Sequence, residues 1–284
     1  MAGVITEFPL PTIASQPSGI AAGPDGALWF TEYGSPTSTI GRITPEGAIT
    51  EFVTSASLGL SIGIALGGDG ALWFTQINSE VNAIGRITTN GFVNEFPIPT
   101  PQSSPYAIVA GPDGNLWFTE QYKGKIGRIT PSGVVTEFAL DLQSGPSGIT
   151  VGPDGAIWFT EAGTKGNAIG RITTDGAVTE FPLPNPDRTP AGIATGFDGS
   201  LWFTELNPPY PHFIGRITTA GVVTEFQLPA GYGFPYAIAS GPDGALWFTM
   251  IQDAAIGRLA LTEERLPIEA VSRDRQPRIL PPRP

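Results

Sequence analysis

The chain has 284 residues, no cysteine, one histidine and a formal net charge of −11. This composition excludes disulfides, thiolate nucleophiles and multi-histidine metal cages, and the acidic charge argues against a nucleic-acid partner, whose phosphates need a basic surface. No apolar stretch approaches the roughly 18 residues of a membrane span, so no membrane role is expected. Because the first residues lack the features of a signal peptide, we expect a cytoplasmic protein.

One sequence unit recurs along the chain. Leu/Ile-Trp-Phe-Thr occurs six times, follows Gly-x-Asp-Gly and precedes Ile-Gly-Arg in every copy. The motif uses all the tryptophans of the chain, which are Trp29, Trp73, Trp117, Trp158, Trp202 and Trp247. A Glu-Phe pair stands 20 or 21 residues before each of them. A period of 41 to 45 residues indicates a repeat architecture.

The first unit, taken in chain order, predicts four short strands. Strand A covers 19–22, an Asp-Gly turn leads to strand B at 27–31, strand C covers 40–44, and a Glu-Gly turn leads to strand D at 48–52. Turns of this kind between β-rich runs are hairpin signals. Four strands in each repeat are typical of a propeller blade. The predicted fold class is therefore all-β, a six-bladed β-propeller of four-stranded antiparallel blades.

The sixth unit ends without a Thr-Glu-Phe strand. That pattern is found at the start of the chain, at residues 5–8, so we expect the N-terminal strand to close the ring and remove an exposed edge. Residues 266–268 are a competing choice. The predicted organisation is a propeller at 1–261 and a Pro/Arg-rich C-terminal tail at 262–284, flexible or draped on the surface.

Charged residues also recur, and most have a structural interpretation. The Gly-Arg arginines and the Glu-Phe glutamates lie on adjacent strands, which predicts cross-strand ion pairs, while the Asp-Gly aspartates form turns. A further glutamate follows strand B in four units, as Glu32, Glu120, Glu161 and Glu205, whereas Gln76 and Met250 replace it elsewhere. We expect these glutamates to ring one mouth of the channel and to pair with the strand-C arginine, with a bound metal cation as the alternative.

The connections B–C and D–A vary between units and contain all the tyrosines. If tyrosines served only for packing, they should also occur in strands. We therefore place a ligand-binding face on these loops, although loops that merely pack over the channel mouth remain an alternative. The candidate ligand-binding residues are Tyr33, Tyr106, Tyr122, Tyr210, His212, Tyr232, Phe234 and Tyr236.

The fifth unit carries the most distinctive loop, a proline-rich insertion that presents His212. A lone histidine can act as a general base, although a hydrogen-bonded loop histidine is more frequent. Acids that could accompany it are Glu205, Asp187 and Asp253. The candidate catalytic residues are His212, Tyr236, Tyr106 and Glu205.

Three stretches, Gly-Pro-Asp-Gly-Ala-Leu-Trp-Phe-Thr-Glu at 23–32, Ile-Gly-Arg-Ile-Thr at 40–44 and Ile-Thr-Glu-Phe-Pro-Leu-Pro at 5–11, carry a family resemblance. Over roughly residues 3–260 the chain resembles the virginiamycin B lyase (streptogramin B lyase) family. The resemblance implies a propeller with a small-molecule site at the channel mouth. It also implies a Mg²⁺-assisted elimination that linearises a cyclic depsipeptide antibiotic at its ester linkage.

The sequence departs from this family in two ways. The resemblance implies seven blades, whereas the chain has six repeats, and it implies catalytic histidines at the start of strand A. The matching positions hold no histidine; they are Ser18, Ile62, Tyr106, Ser147, Ala191 and Tyr236. A further family acid corresponds to Ile251. The family elimination is therefore not expected to use the same residues, and Mg²⁺ is implied by the resemblance alone.

These observations predict a monomeric propeller that binds a small cyclic or amphipathic molecule at the channel mouth on the B–C/D–A face. Whether the chain also transforms that molecule is left open. The alternative is a non-catalytic propeller scaffold that binds a ligand or a protein.

Overall fold

A computed structural model describes residues 6–34, 38–55, 59–78, 82–140, 144–163, 167–206, 211–229, 233–251, 255–261 and 278–279. The strands of blades one to three are β1 (Pro17–Ala22), β2 (Leu28–Glu32), β3 (Ser38–Ile43), β4 (Ile49–Ser55), β5 (Gly59–Leu66), β6 (Leu72–Asn78), β7 (Ala83–Ile87), β8 (Val93–Pro97), β9 (Pro105–Ala110), β10 (Leu116–Glu120), β11 (Lys125–Ile129) and β12 (Val135–Ala139).

The strands that follow are β13 (Ser144–Val151), β14 (Ile157–Gly163), β15 (Ala168–Ile172), β16 (Val178–Pro182), β17 (Thr189–Thr195), β18 (Leu201–Leu206), β19 (Phe213–Ile217), β20 (Val223–Gln227), β21 (Pro235–Ser240), β22 (Leu246–Met250), β23 (Ala255–Leu259) and β24 (Arg278–Ile279). None of the described segments forms a helix of the length and apolarity that a bilayer span requires.

The strands of each blade pair in chain order and antiparallel, which confirms the predicted six-bladed β-propeller. Blade five shows the common register, because Phe203 lies opposite Gly215, which in turn lies opposite Glu225. Two compact units are distinguished along the chain: one contains blades one and two with much of blade three, and the other contains the rest of blade three and blades four to six.

The aspartate of the A–B turn organises each hairpin. In blade one, Asp25 accepts hydrogen bonds from the indole nitrogen of Trp29 at 3.1 Å and from Nε of Arg42 at 2.6 Å. The next residue, Gly26, has a φ of 77°, which glycine adopts without strain. The same pairing recurs as Arg86–Asp69, Arg171–Asp154, Arg216–Asp198 and Arg258–Asp243.

The predicted ion pairs between the Gly-Arg arginines and the Glu-Phe glutamates are therefore wrong for these five blades. Arg42 lies opposite Trp29 on strand B and Thr50 on strand D, so its side chain shares a face with the indole and reaches the turn. Glu51 lies opposite Gly41 on the other face. Hydrogen bonds from Trp247 and Arg258 lower the pKa of the equivalent Asp243 to about 2.

Neighbouring blades pack through two different apolar faces. The tryptophan of strand B stacks on the strand-D phenylalanine of its own blade, as Trp158 does on Phe181 with centroids 5.5 Å apart. This face contacts the phenylalanine face of the next blade, where Leu201 and Phe203 are fully buried. Burial of side chains of this size stabilises the fold by about 1.5–3 kcal/mol each.

The expected fourth strand of blade six is not found among the described residues, where the sheet consists of β21, β22 and β23. Residues 6–8 have no regular secondary structure. The ring of Phe8 nevertheless lies against Gly47, just as Phe52 lies against Gly91 in the next blade. Closure by residues 5–8 stays a prediction, and the competing segment 266–268 lies outside the described residues.

The C-terminal tail contributes one short strand. Arg278 and Ile279 form β24, which pairs antiparallel with Glu180 and Thr179 of β16. Blade four is therefore a five-stranded sheet.

Candidate functional site

A β-bulge occurs at the start of strand A in five blades. In blades four to six, the register shifts between Pro146 and Ile149, between Pro190 and Ile193, and between Pro235 and Ile238. The shift recurs in blades one and two. Bulges re-aim side chains and are frequent next to functional sites. The positions at which the family resemblance implies histidines lie in these bulges; they are Ser18, Ile62, Ser147, Ala191 and Tyr236.

The threonine of Trp-Phe-Thr fixes the backbone of the bulge. Thr204 Oγ1 accepts a hydrogen bond from the Gly192 amide at 2.9 Å and donates one to the Tyr236 carbonyl oxygen at 2.6 Å. In blades two and three, Thr75 Oγ1 accepts from the Gly63 amide and donates to the Tyr106 carbonyl oxygen at 2.9 Å. One hydroxyl therefore joins two successive blades at the bulge.

Glycine is required where the bulges of two blades approach each other. A Cβ added at Gly192 would lie 2.5 Å from the Tyr236 carbonyl oxygen, which is closer than real Cβ contacts occur. The Tyr236 backbone is thereby held by a tight backbone approach as well as by Thr204. Its side chain is 37% exposed, so it presents an aromatic surface on a fixed main chain.

His212 and Phe234 contact each other, with ring centroids 4.4 Å apart and planes tilted by 48°. The main chains of both are anchored: the His212 carbonyl oxygen accepts from the Leu228 amide at 2.8 Å, and the Phe234 carbonyl oxygen accepts from the Ile251 amide at 3.0 Å. His212 is only 2% exposed. Its imidazole therefore packs inside the loop cluster instead of standing on an exposed loop.

Blade five holds two carboxyl groups side by side, the buried one of Glu205 and the half-buried one of Glu225. Glu205 is the second-last residue of strand B, and Glu225 lies on strand D opposite Gly215. Gly215 has no side chain, and the Phe203 ring fills the space that a Cβ would take. The Glu205 carboxyl lies near that of Glu225 on the same face of the sheet. The charge of Glu225 raises the pKa of Glu205, whereas a hydrogen bond with Glu205 lowers the pKa of Glu225.

One cation serves both carboxyl groups. Arg188, from the connection between blades four and five, forms an ion pair with Glu225 and lies 3.7 Å from Glu205 through Nη1. Its guanidinium carbon lies 3.4 Å from the centre of the Phe213 ring. Arginine suits this place because its planar guanidinium can stack on a ring while it donates several hydrogen bonds.

The charges in this cluster determine which carboxyl group is protonated. Burial and the charge of Glu225, against an opposing effect of Arg188, together raise the pKa of Glu205 to about 8. Burial also raises the pKa of Glu225, against the effect of Arg188. Two carboxyl groups that share one guanidinium are best neutralised by one proton, and we assign that proton to the more buried Glu205.

Blade one contains a related pair, and no cation contacts it among the residues that the structure describes. Glu32 is fully buried, and burial together with the charge of Glu51 raises its pKa to about 7, against a lowering by the Ser15 hydroxyl. Glu51 accepts hydrogen bonds from the Thr12 amide at 3.1 Å and from the Thr12 hydroxyl at 2.6 Å. The N-terminal segment thus supplies hydroxyl and amide groups where blade five uses Arg188.

The expected pairing of the strand-B glutamates with the strand-C arginines is wrong for Glu32, Glu161 and Glu205, because Arg42, Arg171 and Arg216 bind the turn aspartates. Each of Glu32, Glu120, Glu161 and Glu205 is instead buried in its own blade. Magnesium prefers several oxygen ligands, but the described residues contain no group of three or more His, Cys, Asp or Glu side chains that could hold a metal ion. The described side chains therefore do not fit Mg²⁺.

The remaining candidates from the sequence divide into two groups. Tyr33 and Tyr122 are exposed, and Tyr106 is half-buried with its carbonyl fixed by Thr75. Tyr106 lies in β9 and Tyr236 in β21, so the expectation that all tyrosines lie in the connections is wrong for these two. Tyr210, Tyr232 and Asp253 lie outside the described residues.

Sequence reasoning missed Arg188 and favoured its neighbour Asp187. The available signal was that Arg188 is the single arginine within residues 1–261 outside the Gly-Arg repeat. A search for arginines that lie outside the repeat, like the search made for tyrosines, would have identified Arg188.

Comparison with known proteins gives a consistent result. The sequence matches the Virginiamycin B lyase family over residues 1–143 and 101–269, whereas no curated protein matches it. A structure of a catalytically inactive His-to-Ala variant of virginiamycin B lyase from Staphylococcus aureus with quinupristin has 40% identity and a TM-score of 0.83, over 92% of this chain and 85% of that chain.

Two further solved structures extend the comparison. A streptogramin B lyase structure has 35% identity and a TM-score of 0.79, covering 91% of this chain and 87% of that chain. The PQQ-bound form of aldose sugar dehydrogenase from Streptomyces coelicolor has 20% identity and a TM-score of 0.59, over 85% of this chain and 90% of that chain, and shares the fold alone. The family match and the two lyase structures together show that this chain belongs to the virginiamycin B lyase family.

Proposed function

We propose that the chain binds a small cyclic or amphipathic molecule on the B–C and D–A loops of blades five and six. The observation that carries the proposal is Tyr236, a partly exposed ring on a main chain fixed by Thr204 and by the close approach of Gly192. An aromatic surface that is already ordered loses little entropy when a ligand binds. Phe234, which is half-buried and contacts His212, supplies a second aromatic ring two residues before Tyr236.

The ligand class follows from the family relative whose structure was solved with quinupristin. A molecule of that class, with apolar rings and amide groups, suits a site that combines aromatic faces with hydroxyl groups. Quinupristin is therefore the first ligand to test on this chain.

The finer part of the proposal concerns chemistry. No histidine occupies the bulge positions, so the elimination implied by the family resemblance lacks its base here. If the ligand is transformed, we propose the Tyr236 hydroxyl as the group that contacts it. Glu205, 1% exposed, stores a proton inside the blade instead of presenting it to a ligand.

The test is equilibrium binding of quinupristin to the full chain by calorimetry. Tyr236→Ala is expected to weaken binding at least tenfold. Phe197→Ala is the matched control, because Phe197 is an aromatic residue of the adjacent blade, 68% exposed, in the A–B turn at the opposite end of the strands. Equal affinity of both variants and the parent chain, or no binding at all, would contradict the proposed site.

A second measurement separates binding from turnover. The chain is incubated with quinupristin in the presence of Mg²⁺ or of a chelator, and the products are separated and weighed by mass spectrometry. A linear product of unchanged mass that disappears with chelator would show that the family reaction continues on other residues. Tight binding with intact quinupristin would favour the alternative of a non-catalytic binding scaffold.

A further inference from the structure

The turns between strands C and D in blades one to five share one hydrogen-bonding arrangement. Each begins with a threonine and ends with a glycine at positive φ, and the glycine amide donates to the threonine carbonyl oxygen. The residue before the glycine differs from blade to blade; it is Glu46, Asn90, Ser132, Asp175 or Ala220. The turn of blade two contains Asn90-Gly91, which is the single Asn-Gly dipeptide of the sequence.

An Asn-Gly dipeptide is chemically reactive because of its covalent structure. The main-chain nitrogen of the glycine can attack the side-chain carbonyl carbon of the asparagine, which closes a five-membered succinimide ring and releases ammonia. Glycine has no Cβ to hinder this approach, and asparagine is among the thermolabile residues of proteins. Water then opens the ring at either carbonyl group. The products are aspartate and isoaspartate, in which the main chain runs through the former side chain.

Thr88 holds the two reacting groups in the folded turn. Its hydroxyl donates a hydrogen bond to Asn90 Oδ1 and accepts one from the Phe92 amide at 3.1 Å. Its carbonyl oxygen accepts from the Gly91 amide at 2.8 Å. Asn90 is exposed, so water reaches its side chain. Ring closure therefore requires the turn to open, and exposed turns are among the parts of a fold that open most readily.

The turn of blade four shows which product the fold accepts. There the Thr173 hydroxyl donates to Asp175 Oδ1, and the Gly176 amide donates to the Thr173 carbonyl oxygen at 2.9 Å. The φ of Gly176 is 97°, close to the 87° of Gly91. Aspartate at position 90 would therefore keep the hydrogen bonds of the turn. Isoaspartate would not, because it adds one carbon atom to the main chain directly before Gly91.

Gly91 is also a packing surface for blade one. A Cβ added at Gly91 would lie 2.5 Å from the Phe52 ring, so this ring rests directly on the glycine backbone. Phe52 in turn stacks on the fully buried Trp29, with ring centroids 5.5 Å apart and planes inclined by 13°. A main chain displaced at Gly91 would therefore loosen an aromatic stack of the neighbouring blade.

We propose that Asn90-Gly91 is a self-modification site, at which the folded chain converts Asn90 into aspartate and isoaspartate at a rate limited by Thr88. The bond from Gly91 N to the side-chain carbonyl carbon forms as ammonia leaves, and one water molecule opens the ring. Each event raises the mass by about 1 Da. Formation of isoaspartate removes the support of Phe52, so the stability of the chain falls as the protein ages. This site and the ligand site around Tyr236 are independent of each other.

The first test is incubation of the full chain at pH 8 and 37 °C, followed by trypsin digestion and mass spectrometry. The peptide 87–123 contains Asn90 together with Asn94, which is also exposed but precedes Glu95, so Asn94 serves as an internal reference. Asn90 is expected to gain mass at least tenfold faster than Asn94 and to give two separable products of equal mass. Equal rates at the two positions, or aspartate as the single product, would overturn the proposal.

The second test concerns Thr88. Thr88→Val removes the hydroxyl that holds Asn90 and is expected to speed the modification of Asn90 at least threefold. Thr173→Val removes the equivalent hydroxyl in blade four and is the matched control, so it should leave the rate at Asn90 unchanged. Circular dichroism checks that both variants are folded. Equal rates at Asn90 in the parent chain and in Thr88→Val would overturn the role of Thr88.

The third test measures the consequence for stability. After incubation, the isoaspartate form is separated by ion exchange and is expected to melt at a lower temperature than the fresh chain. Asn90→Asp should melt with the fresh chain, and Asn90→Gln, which lacks the five-membered route, should keep its melting temperature after the same incubation. An isoaspartate form as stable as the fresh chain, or an equal loss in incubated Asn90→Gln, would overturn the link between this turn and Phe52.

Discussion

Blades one and five each pair a buried strand-B glutamate with a half-buried strand-D glutamate but balance the charge of the pair differently. In blade five, Arg188 contacts both Glu205 and Glu225, whereas in blade one, Glu51 accepts two hydrogen bonds from Thr12. In blade five, the positive guanidinium offsets one carboxylate, so a single proton neutralises the other. In blade one, the hydroxyl and amide groups of Thr12 donate hydrogen bonds but add no charge. A repeat can therefore keep one backbone arrangement while the connections between blades decide how each copy titrates.

The largest expected effect comes from removing the cation of blade five. Arg188→Met leaves Glu205 and Glu225 without their shared partner, and we expect it to lower the free energy of unfolding by about 2–3 kcal/mol. Arg216→Met, which breaks a partly exposed pair with Asp198, is the control and should cost about 1 kcal/mol or less. Urea denaturation at pH 7 measures both. If the two variants lose equal stability, the buried pair has no special dependence on Arg188.

The pH dependence of stability separates the two blades. The folded pKa of Glu205, about 8, lies above its ordinary value of 4.5, so its protonated form favours the folded state. That contribution is complete below pH 4.5 and is lost as the pH rises to about 8, at up to about 1.4 kcal/mol per pH unit. For Glu32 the loss ends near pH 7.

Two substitutions test which glutamate is responsible for each pH range. Glu205→Gln should reduce the slope of stability against pH up to about pH 8, whereas Glu32→Gln should reduce it only up to about pH 7. Thermal melts from pH 5 to pH 9 measure the slopes. Identical profiles for the two variants would show that the connections do not set the titration of the pairs.

A smaller effect is expected where hydrogen bonds replace the cation. Thr12→Val removes the hydroxyl donor to Glu51 while it keeps the amide and the side-chain shape, and it should cost about 1.5 kcal/mol. Thr50→Val, at an exposed position of β4 next to Glu51, should leave the free energy of unfolding nearly unchanged. Chemical denaturation gives both values. A neutral Thr12→Val would mean that water or a proton substitutes for the hydroxyl.

The smallest effect belongs to blade three, where Lys125 Nζ lies 3.2 Å from Glu137. Lysine pairs of this kind, partly exposed, contribute about 1 kcal/mol or less. Lys125→Met should therefore change the melting temperature by only a few degrees, and the change should shrink at 1 M salt. A loss of stability as large as that of Arg188→Met would mean that the pair in blade three depends on its cation as strongly as the pair in blade five does.

The fold could be read from the sequence because its signals are local and repeated. The turn aspartate, the glycine at positive φ and the strand-B tryptophan lie within seven residues of one another, so each blade can be recognised from a short stretch of sequence. The partner of each arginine could not be read in the same way. From the sequence, Arg42 could pair with Glu51 on the adjacent strand or with Asp25 in the turn. It pairs with Asp25 because their side chains lie on the same side of the sheet, whereas Glu51 lies on the other side.

The candidate site was less predictable because its contacts join distant segments. Arg188 and Glu225 are 37 positions apart, and their contact depends on how the connection between blades four and five is folded. The sequence did indicate His212, Phe234 and Tyr236, since these residues depart from the repeat. It could not indicate that His212 is buried against Phe234, because burial depends on the neighbouring loops.

The hydrogen bond from Thr204 to the carbonyl oxygen of residue 236 has an evolutionary consequence. It holds the main chain at that position without contacting the side chain, so any amino acid placed there would be presented from the same point. Tyr106 and Ala191 occupy positions of the same kind. Descendants of one propeller could therefore exchange a reactive side chain for an aromatic or an inert one through single codon changes, with the scaffold left intact.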